Sequence, residues 1–357
     1  MKLCKGAVLA LAISYGLIYC HTNKSKFMLE QKGDSLTLIH ITNPTNYILL
    51  PIEEEAEESW VRLDIGDAAD TDMDIRLAQT KVDYWVPFVL PADAKTVTVR
   101  VQKSLGDALC WKEMKLSDTF DPSHTDKFRP VYHHAPLYGW MNNANGLVYE
   151  DEEYHLYYQY NPYGSKWGNM HWGHSISKDL MHWEHLAPAI VRDTLGHIFS
   201  GSSIVDQENV AGYGTGTILA FYTSASDKNG QIQCLAYSND NGRTFTKYDK
   251  NPILRSSDRR KDFRDPKVFW YAPGNKWIMI VAADKEMCFY DSEDLKDWNY
   301  MSSFGEGYGV QPCQFECPDM VELPVDGDTE HKKWVLIVNV NPGCYFGGSA
   351  TQYFIGD

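Results

Sequence analysis

The chain has 357 residues, of which 43% are hydrophobic and 13% aromatic, and this length predicts about two domains with large cores. Its 33 basic and 48 acidic residues leave a formal net charge of −15. Because this charge repels phosphate backbones and anionic lipid surfaces, nucleic acid is excluded as an expected partner, whereas a neutral polysaccharide fits.

The first segment, residues 1–20, has the pattern of an export signal. Lys2 and Lys5 precede an apolar run that ends at Tyr19 and is too short to span a bilayer comfortably. We therefore expect the protein to be exported to the periplasm or cell envelope. Cys20 is a candidate site for a lipid anchor, as in a lipoprotein, although Tyr19 is bulky where lipoprotein signals prefer a small residue.

Residues 27–118 alternate between apolar or β-branched residues and polar residues, and this period of two is typical of strands. Polar turns separate the runs, which predicts a small antiparallel β-sandwich. The acidic run Glu53–Glu58 predicts a solvated loop. The clearest predicted strands are Ser35–Ile39, Trp60–Ile65, Asp74–Ala78, Tyr84–Leu90 and Thr96–Val101.

Two groups of residues have spacings that could suit a metal ion. The stretch Asp70–Asp74 carries three aspartates but lacks the Gly and distal Glu of an EF-hand. Four histidines follow one another closely, but no Glu stands where a zinc metalloprotease motif requires it. We therefore expect no metal and no cofactor. The four residues are His171, His174, His182 and His185.

Residues 119–136 contain three prolines and predict a linker. Beyond it, four similar segments each precede an apolar strand, a polar turn and a second strand rich in aromatic or β-branched residues. Their key positions, 143, 202, 265 and 316, are separated by 59, 63 and 51 residues. A repeat of this size predicts the blades of a propeller. The segments are Trp140–Gly146, Phe199–Ser202, Arg264–Lys267 and Glu316–Asp319.

A second motif repeats with the first. Ser177–Trp183 reappears as Ser292–Trp298, and between them Ser238–Phe245 has the Ser-x-Asp-x-Gly-x-Thr-aromatic form of a propeller Asp box. In such a turn a short polar side chain bonds nearby amides while the aromatic ring anchors the loop. Three such turns favour a single repeated architecture over unrelated loops.

The propeller geometry predicts where the key residues meet. The first strand of every blade lines the central axis, so the four key positions converge at one mouth. Asp265 and Glu316 provide two carboxylates there, and Trp140 offers an aromatic ring nearby. We expect Trp167 to be a sugar platform, whereas Trp172 suits the core equally well. Carboxylates ringed by aromatic residues are typical of a sugar site.

These motifs resemble the signature of glycoside hydrolase family 32, the β-fructosidases that include invertases, inulinases and levanases. Members of the family share the motifs Trp-Met-Asn-Asp-Pro-Asn-Gly, Arg-Asp-Pro and Glu-Cys-Pro-Asp. The chain has the last two intact at 264–266 and 316–319. Three further segments match the family's sugar-pocket segments in the right order. They are Gln159–Pro162, Trp167–Gly168 and Phe199–Ser202.

The resemblance runs from about residue 136 to the end of the chain and implies a fold. Family members have a five-bladed propeller followed by a C-terminal β-sandwich, and Bacteroides-type fructan hydrolases carry an accessory β-sandwich before the propeller. We therefore expect an all-β protein in which an accessory sandwich (27–118) precedes an incomplete catalytic propeller (137–357). Three complete blades and part of a fourth would leave strand edges exposed, so the chain alone would be marginally stable.

The resemblance also implies roles for individual residues. Glu316 corresponds to the acid/base, and Asp265 to the residue that stabilises the transition state by bonding the fructose hydroxyls. Where the family has its nucleophilic Asp, the chain has Asn143, and Ala144 replaces Pro. The implied substrate-binding residues are Trp140, Asn142, Gln159, Trp167, Phe199, Ser202 and Arg264.

The substitution at Asn143 affects the expected activity. A retaining glycosidase needs two carboxyl groups about 5–5.5 Å apart, and a neutral amide is a poor nucleophile. We therefore expect a hydrolase of β-fructosidic bonds in levan, inulin or sucrose whose chemistry is impaired. One alternative is a non-catalytic fructan-binding protein on the same scaffold. Another is a propeller glycosidase acting on arabinose polymers, against which the Glu-Cys-Pro-Asp motif argues.

Overall fold

The computed structural model describes residues 26–357 except 34, 66–67, 92, 103–106, 123–128, 259 and 312. The expected export signal and Cys20 lie outside the described residues. Within them the chain is almost entirely antiparallel β-structure, so the predicted all-β class is confirmed. The exceptions are helix α1 (Cys110–Glu113) and a 3-10 turn at Ala272–Gly274. None of the described helices is long and apolar enough to cross a membrane.

The N-terminal strands form two sheets that enclose one apolar core. One sheet has the order β1-β2-β7-β4-β5 and the other the order β6-β3-β8. In β7 the alternate residues Val97, Val99 and Val101 are buried, so the period of two seen in the sequence is the one that fills this core. The strands are β1 (Lys26–Lys32), β2 (Leu36–Thr42), β3 (Tyr47–Ile52), β4 (Ser59–Ile65), β5 (Ala68–Ile75), β6 (Tyr84–Val89), β7 (Thr96–Gln102) and β8 (Lys115–Ser117).

One predicted strand of this region is misplaced. The expected strand Asp74–Ala78 overlaps only the last two residues of β5, which begins at Ala68. Leu77 and Ala78 are buried beyond the end of β5, where Leu77 makes an isolated bridge to Ile52. The apolar residues beyond β5 are buried in the core without belonging to a strand, and this is why their sequence pattern predicted one.

The acidic run at 53–58 is not wholly a solvated loop, because Glu53 is buried. Its Oε2 accepts hydrogen bonds from the amides of Gln79 and Thr80, both at 2.8 Å, and its Oε1 accepts one from the Thr80 hydroxyl at 2.9 Å. These bonds, led by that of the Thr80 amide, lower the pKa of Glu53 to about 2. The carboxylate thus fixes the turn after β5.

We predict that Glu53→Gln destabilises the sandwich by on the order of 2 kcal/mol at neutral pH, because charge-assisted bonds to buried amides are lost. The folded-state pKa of Glu53 lies below its ordinary value of 4.5. Its contribution is therefore complete above about pH 4.5 and is lost as the pH falls towards about 2. Thermal melts over this range should show the difference between the two proteins shrinking. Glu55→Gln, at an exposed neighbouring residue, is the control and should change little; equal effects would contradict this role.

The rest of the chain forms four antiparallel sheets in succession. Their first strands, β9, β13, β18 and β22, contact one another in order, and apolar clusters lie between successive sheets. The strands of the first two sheets are β9 (Trp140–Glu150), β10 (Glu153–Asn161), β11 (His171–Ser177), β12 (Glu184–Ile190), β13 (His197–Asp206), β14 (Thr217–Ser226), β15 (Gly230–Ser238), β16 (Thr246–Lys247) and β17 (Leu254–Arg255). Those of the last two are β18 (Phe263–Tyr271), β19 (Lys276–Ala283), β20 (Glu286–Ser292), β21 (Asn299–Phe304), β22 (Gln314–Val325), β23 (Asp328–Asn341) and β24 (Ala350–Gly356).

The turn after the third strand is built alike in the first three sheets, as the repeated motif predicts. In the first, the Leu180 amide donates to Ser177 Oγ at 2.8 Å and the Met181 amide donates to Asp179 Oδ1 at 2.8 Å. The corresponding bonds recur around Ser292, and a related set surrounds Ser238. The same side chains therefore close equivalent turns in successive sheets.

Candidate active site

Each of the four first strands carries a β-bulge near its beginning. In β9 the pairing with β10 passes from Asn142 directly to Ala144 and leaves Asn143 without a partner. In the other three strands, two residues stand opposite one. Because a bulge redirects side chains out of the pleat, the four strands can aim polar groups at a common point. The bulged pairs are Phe199–Ser200, Asp265–Pro266 and Cys317–Pro318.

The backbone at two of these bulges is unusual. Asp265 has a φ of 62° and Cys317 a φ of 45°, in the left-handed region that non-glycine residues seldom adopt. Residues held in this way cost free energy and cluster at functional sites. The third and fourth sheets therefore share one local geometry, which places Arg264 and Glu316 at equivalent positions just before the bulge.

The bulges correct the equivalence expected from the sequence. Ser202 lies beyond the bulge of its strand, so Phe199 and Ser200 take the place that spacing assigned to Ser202. Ser202 is buried, accepts a hydrogen bond from the Val268 amide at 2.9 Å, and donates one to the Pro266 carbonyl at 2.9 Å. It therefore ties β13 to β18 behind the site.

A pocket of about 330 Å³ opens where the bulges meet. Three residues predicted to converge, Asn143, Asp265 and Glu316, all line it, although the sequence separates them widely. Trp140 and Ser202 are not among the lining residues. The lining consists of Asn142, Asn143, Gln159, Trp167, Phe199, Ser200, Gln231, Asp262, Arg264, Asp265 and Glu316.

Arg264 is the central cation of this pocket. Its Nη2 lies 2.8 Å from Glu316 Oε1, its Nη1 lies 2.5 Å from Asp262 Oδ1, and its Nε lies 3.8 Å from Asp265 Oδ2. One guanidinium thus faces three carboxylates among the lining residues, and the pocket keeps a negative charge. Glu316 retains 28% side-chain exposure, so its carboxylate can reach a ligand while Arg264 orients it.

Asp265 is the buried member of the group, with a side-chain exposure of 6%. Its Oδ2 accepts a hydrogen bond from the Cys317 amide at 2.9 Å, and its own amide donates to Thr223 Oγ1 at 3.0 Å. Burial raises the pKa of Asp265, whereas Arg264 and the Cys317 amide act in the opposite direction. Asp265 is thus fixed on both sides before any ligand binds.

Asn143 stands at the exposed rim and joins the same network. Its Nδ2 donates to Ser200 Oγ and to Cys317 Sγ, each at 3.2 Å. Burial, together with the charge of Asp265, raises the pKa of the Cys317 thiol well above its ordinary value, so the thiol keeps its proton. A hydroxyl and a protonated thiol therefore surround the side chain at 143.

The tryptophans of this region have different positions, and only one of the three lines the pocket. Trp167 is 54% exposed, lies with its ring parallel to that of His197 at 5.9 Å and lines the pocket. Trp172 is fully buried and belongs to the core. Trp140 donates from its Nε1 to Asn142 Oδ1 at 2.9 Å and so orients a lining residue. Trp167 is thus the ring that a ligand can contact.

Several residues of the site lack a recognisable sequence signal. Gln231 accepts hydrogen bonds from the Phe263 amide at 2.8 Å and from Arg264 Nη1 at 3.3 Å, yet it lies in β15, outside every repeated motif. Gln314 places its side-chain amide against the Arg264 guanidinium. Asp262 had a usable signal, because it precedes Arg264 by two residues and therefore faces the same side.

The closely spaced histidines lie in the first sheet and its turn, and each has a hydrogen-bond partner at one ring nitrogen. His174 Nε2 is 3.1 Å from His155 Nδ1, and His185 Nδ1 is 3.1 Å from Ser175 Oγ. Burial lowers the pKa of His174 to about 3, so the ring is neutral. Among the residues that the structure describes, no three or more His, Cys, Asp or Glu side chains form a group that could hold a metal ion.

Comparison with known proteins identifies similar sequences for the part of the chain that contains the pocket. Residues 133–357 match the family model described as "Glycosyl hydrolases family 32 N-terminal domain". The chain is 51% identical to the levanase of Bacillus subtilis over 246 residues. The aligned region is 68% of the chain and 36% of that protein. It is 43% identical to invertase 2 of Saccharomyces cerevisiae, over 64% of the chain and 44% of that protein.

Solved structures agree with these matches. The fructofuranosidase of Schwanniomyces occidentalis complexed with fructose superposes with a TM-score of 0.60 and 41% identity, over 64% of the chain and 46% of that protein. The exo-inulinase of Aspergillus awamori superposes with a TM-score of 0.61 and 37% identity, over 67% of the chain and 51% of that protein. The chain thus spans between about a third and a half of the length of these relatives. Residues 33–132 match a model described only as a domain of unknown function, DUF4980.

Proposed function

Because the chain belongs to glycosyl hydrolase family 32, we propose that its pocket holds a fructosyl unit of a fructan or a related oligosaccharide for cleavage of the β-fructosidic bond. The observation that carries this proposal is the shared pocket of Asn143, Asp265 and Glu316. Relatives are named levanase, invertase and exo-inulinase, and one is solved with fructose bound. Hydrolysis of β-fructosidic bonds is the reaction these names share.

The contacts suggest a division of work among the residues. Glu316 is partly exposed and held by Arg264, so it is positioned to protonate the leaving oxygen and later to activate water. Asp265 is fixed by the amide of Cys317 and can accept hydrogen bonds from fructose hydroxyls. Gln159, Asn142 and the other polar lining residues would orient the ring through further hydrogen bonds.

Asn143 limits this chemistry. The family's retaining mechanism requires a carboxylate at this position to attack the anomeric carbon, and the amide of Asn143 carries neither the charge nor the nucleophilicity. We propose that the chain as given binds fructosides and cleaves them slowly. The second candidate, a fructan-binding protein without hydrolytic activity, is favoured by one observation, which is that Asn143 already satisfies Ser200 and Cys317 as a neutral donor.

Export is part of the proposal. Residues 1–20 carry the pattern of an export signal, and relatives include an extracellular exo-inulinase of Meyerozyma guilliermondii. An extracellular location would place the pocket where polymeric fructan is available. A lipid anchor at Cys20 remains a prediction of the sequence alone.

We predict that Trp167→Ala weakens binding of a fructo-oligosaccharide to the chain as given by about tenfold, which corresponds to ~1.4 kcal/mol. Trp167 presents the exposed ring of the pocket, and a sugar packed on it buries apolar area on both partners. Titration calorimetry measures the change. Trp270→Ala is the matched control, because Trp270 is 43% exposed and lies on β18 away from the pocket lining. Equal losses in the two variants, or no binding by the unaltered chain, would refute the proposed site.

A further inference from the structure

A second pocket of about 320 Å³ adjoins the first, and the N-terminal sandwich supplies part of its wall. The remaining wall comes from the loop between β10 and β11 and from His197. Trp167 lines both pockets, so its side chain lies at the boundary between them. The sandwich residues in the wall are Glu54, Glu58, Asp74 and Arg76.

The sandwich holds the loop that carries Trp167. Asn169 clamps the backbone of Asp74, accepting from its amide at 2.9 Å and donating to its carbonyl at 2.8 Å. Lys166 Nζ donates to the Glu54 carbonyl at 2.9 Å. Tyr163 belongs to the apolar core of the sandwich. Because these contacts hold the chain before and after Trp167, they fix the position of its ring between the two pockets.

The chemistry of the second pocket suits a neutral, polyhydroxylated ligand. Carboxylate acceptors stand beside the guanidinium of Arg76, whose Nη2 lies 2.8 Å from Glu58 and whose Nη1 donates to the Ala56 carbonyl at 2.7 Å. The Oε2 atom of Glu54 is buried beside this wall and has no hydrogen-bond partner among the described residues. Acceptors, donors and one exposed indole are the groups that bind sugar hydroxyls and the apolar face of a sugar ring.

We infer that this second pocket is a further sugar subsite, through which the N-terminal sandwich takes part in substrate recognition. A fructan whose fructosyl unit occupies the first pocket would continue across Trp167 and place a more distant unit against Arg76 and Asp74. This inference rests on the proposed function. It gives residues 33–132 a role in selecting longer fructans over sucrose.

The test compares ligands of increasing length on the chain as given. Calorimetry with sucrose, a fructosyl trisaccharide and a fructosyl hexasaccharide should show about tenfold tighter binding of the longest ligand. Arg76→Gln should abolish this gain and leave sucrose affinity unchanged. Arg62→Gln is the matched control, because Arg62 lies in the same sandwich, pairs with Asp64 at 3.3 Å and is 31% exposed against 29% for Arg76.

A second variant guards against a folding defect in the first. Asp74→Asn keeps the backbone atoms that Asn169 binds and removes one carboxylate from the wall. It should also reduce the gain, while thermal melts of the variants stay close to those of Arg62→Gln. The subsite is overturned if hexasaccharide and sucrose bind equally, or if the gain survives both substitutions. Failure to bind any of the sugars would instead refute the proposed function itself.

Discussion

Asn143→Asp is expected to raise fructose release from levan, inulin or sucrose by about a thousandfold or more. A carboxylate about 4 Å from a developing oxocarbenium ion stabilises it by about 4 kcal/mol at an effective dielectric constant of about 20. This energy alone corresponds to a factor of about a thousand in rate. The new carboxylate also opens the route through a covalent intermediate, which the amide of Asn143 does not provide.

The surroundings of Asn143 are suited to this change. Its Nδ2 now donates to Ser200 Oγ and Cys317 Sγ. The Ser200 hydroxyl can donate as well as accept, so it can turn its hydrogen towards a carboxylate oxygen, whereas the Cys317 thiol already donates to Asp265 Oδ2 at 3.5 Å. The substitution should therefore leave the thermal stability of the chain nearly unchanged.

Asn142→Asp is the matched control for this experiment. It makes the same chemical change at the adjacent lining residue, whose Oδ1 is held by Trp140. Fructose release by Asn142→Asp should not rise above the level of the unaltered chain. If Asn143→Asp remains inactive but binds fructo-oligosaccharide, the binding-protein alternative is correct.

Glu316→Gln in the Asn143→Asp background is expected to lower the rate on sucrose or inulin by about 10²–10⁴-fold, the usual contribution of general acid–base catalysis. The alkoxide released from a sugar must be protonated as it leaves, and Glu316 is the partly exposed carboxyl group of the pocket. An aryl β-fructoside has a leaving group that needs little protonation. Its rate of fructosyl transfer to the enzyme should therefore fall much less.

Glu322→Gln in the same background separates this role from a general effect of charge. Glu322 lies further along β22 and pairs with Lys332 at 3.4 Å on the surface. It should leave both rates unchanged. Equal losses on the natural sugar and the aryl fructoside after Glu316→Gln would assign Glu316 to substrate binding and not to proton transfer.

Much of the fold could be predicted because its determinants are local. Alternating apolar residues predicted the sandwich strands, and the repeated turns at Ser177, Ser238 and Ser292 marked successive sheets. The convergence of Asp265 and Glu316 followed from their positions at the beginning of first strands. These features depend on short-range periodicity and hydrogen bonding, which a sequence displays directly.

The parts that could not be predicted depend on tertiary contacts. Spacing placed Ser202 in the site, but the bulge lies at Phe199 and Ser200, so Ser200 lines the pocket and Ser202 lies behind it. The acidic run at 53–58 resembled a solvated loop because nothing local shows that the 79–81 turn would bury Glu53. Gln231 reaches Arg264 from a different strand pair, and no motif records that contact.

The measurement that tests the account most directly is a crystal structure of the chain as given, soaked with a fructosyl trisaccharide. Under our proposal that Asn143 slows cleavage, intact sugar should be seen. We expect a fructosyl ring in the first pocket, with its anomeric carbon facing Asn143, its hydroxyls on Asp265 and its glycosidic oxygen beside Glu316. A sugar bound elsewhere, or a ring that contacts neither Asp265 nor Glu316, would contradict the account.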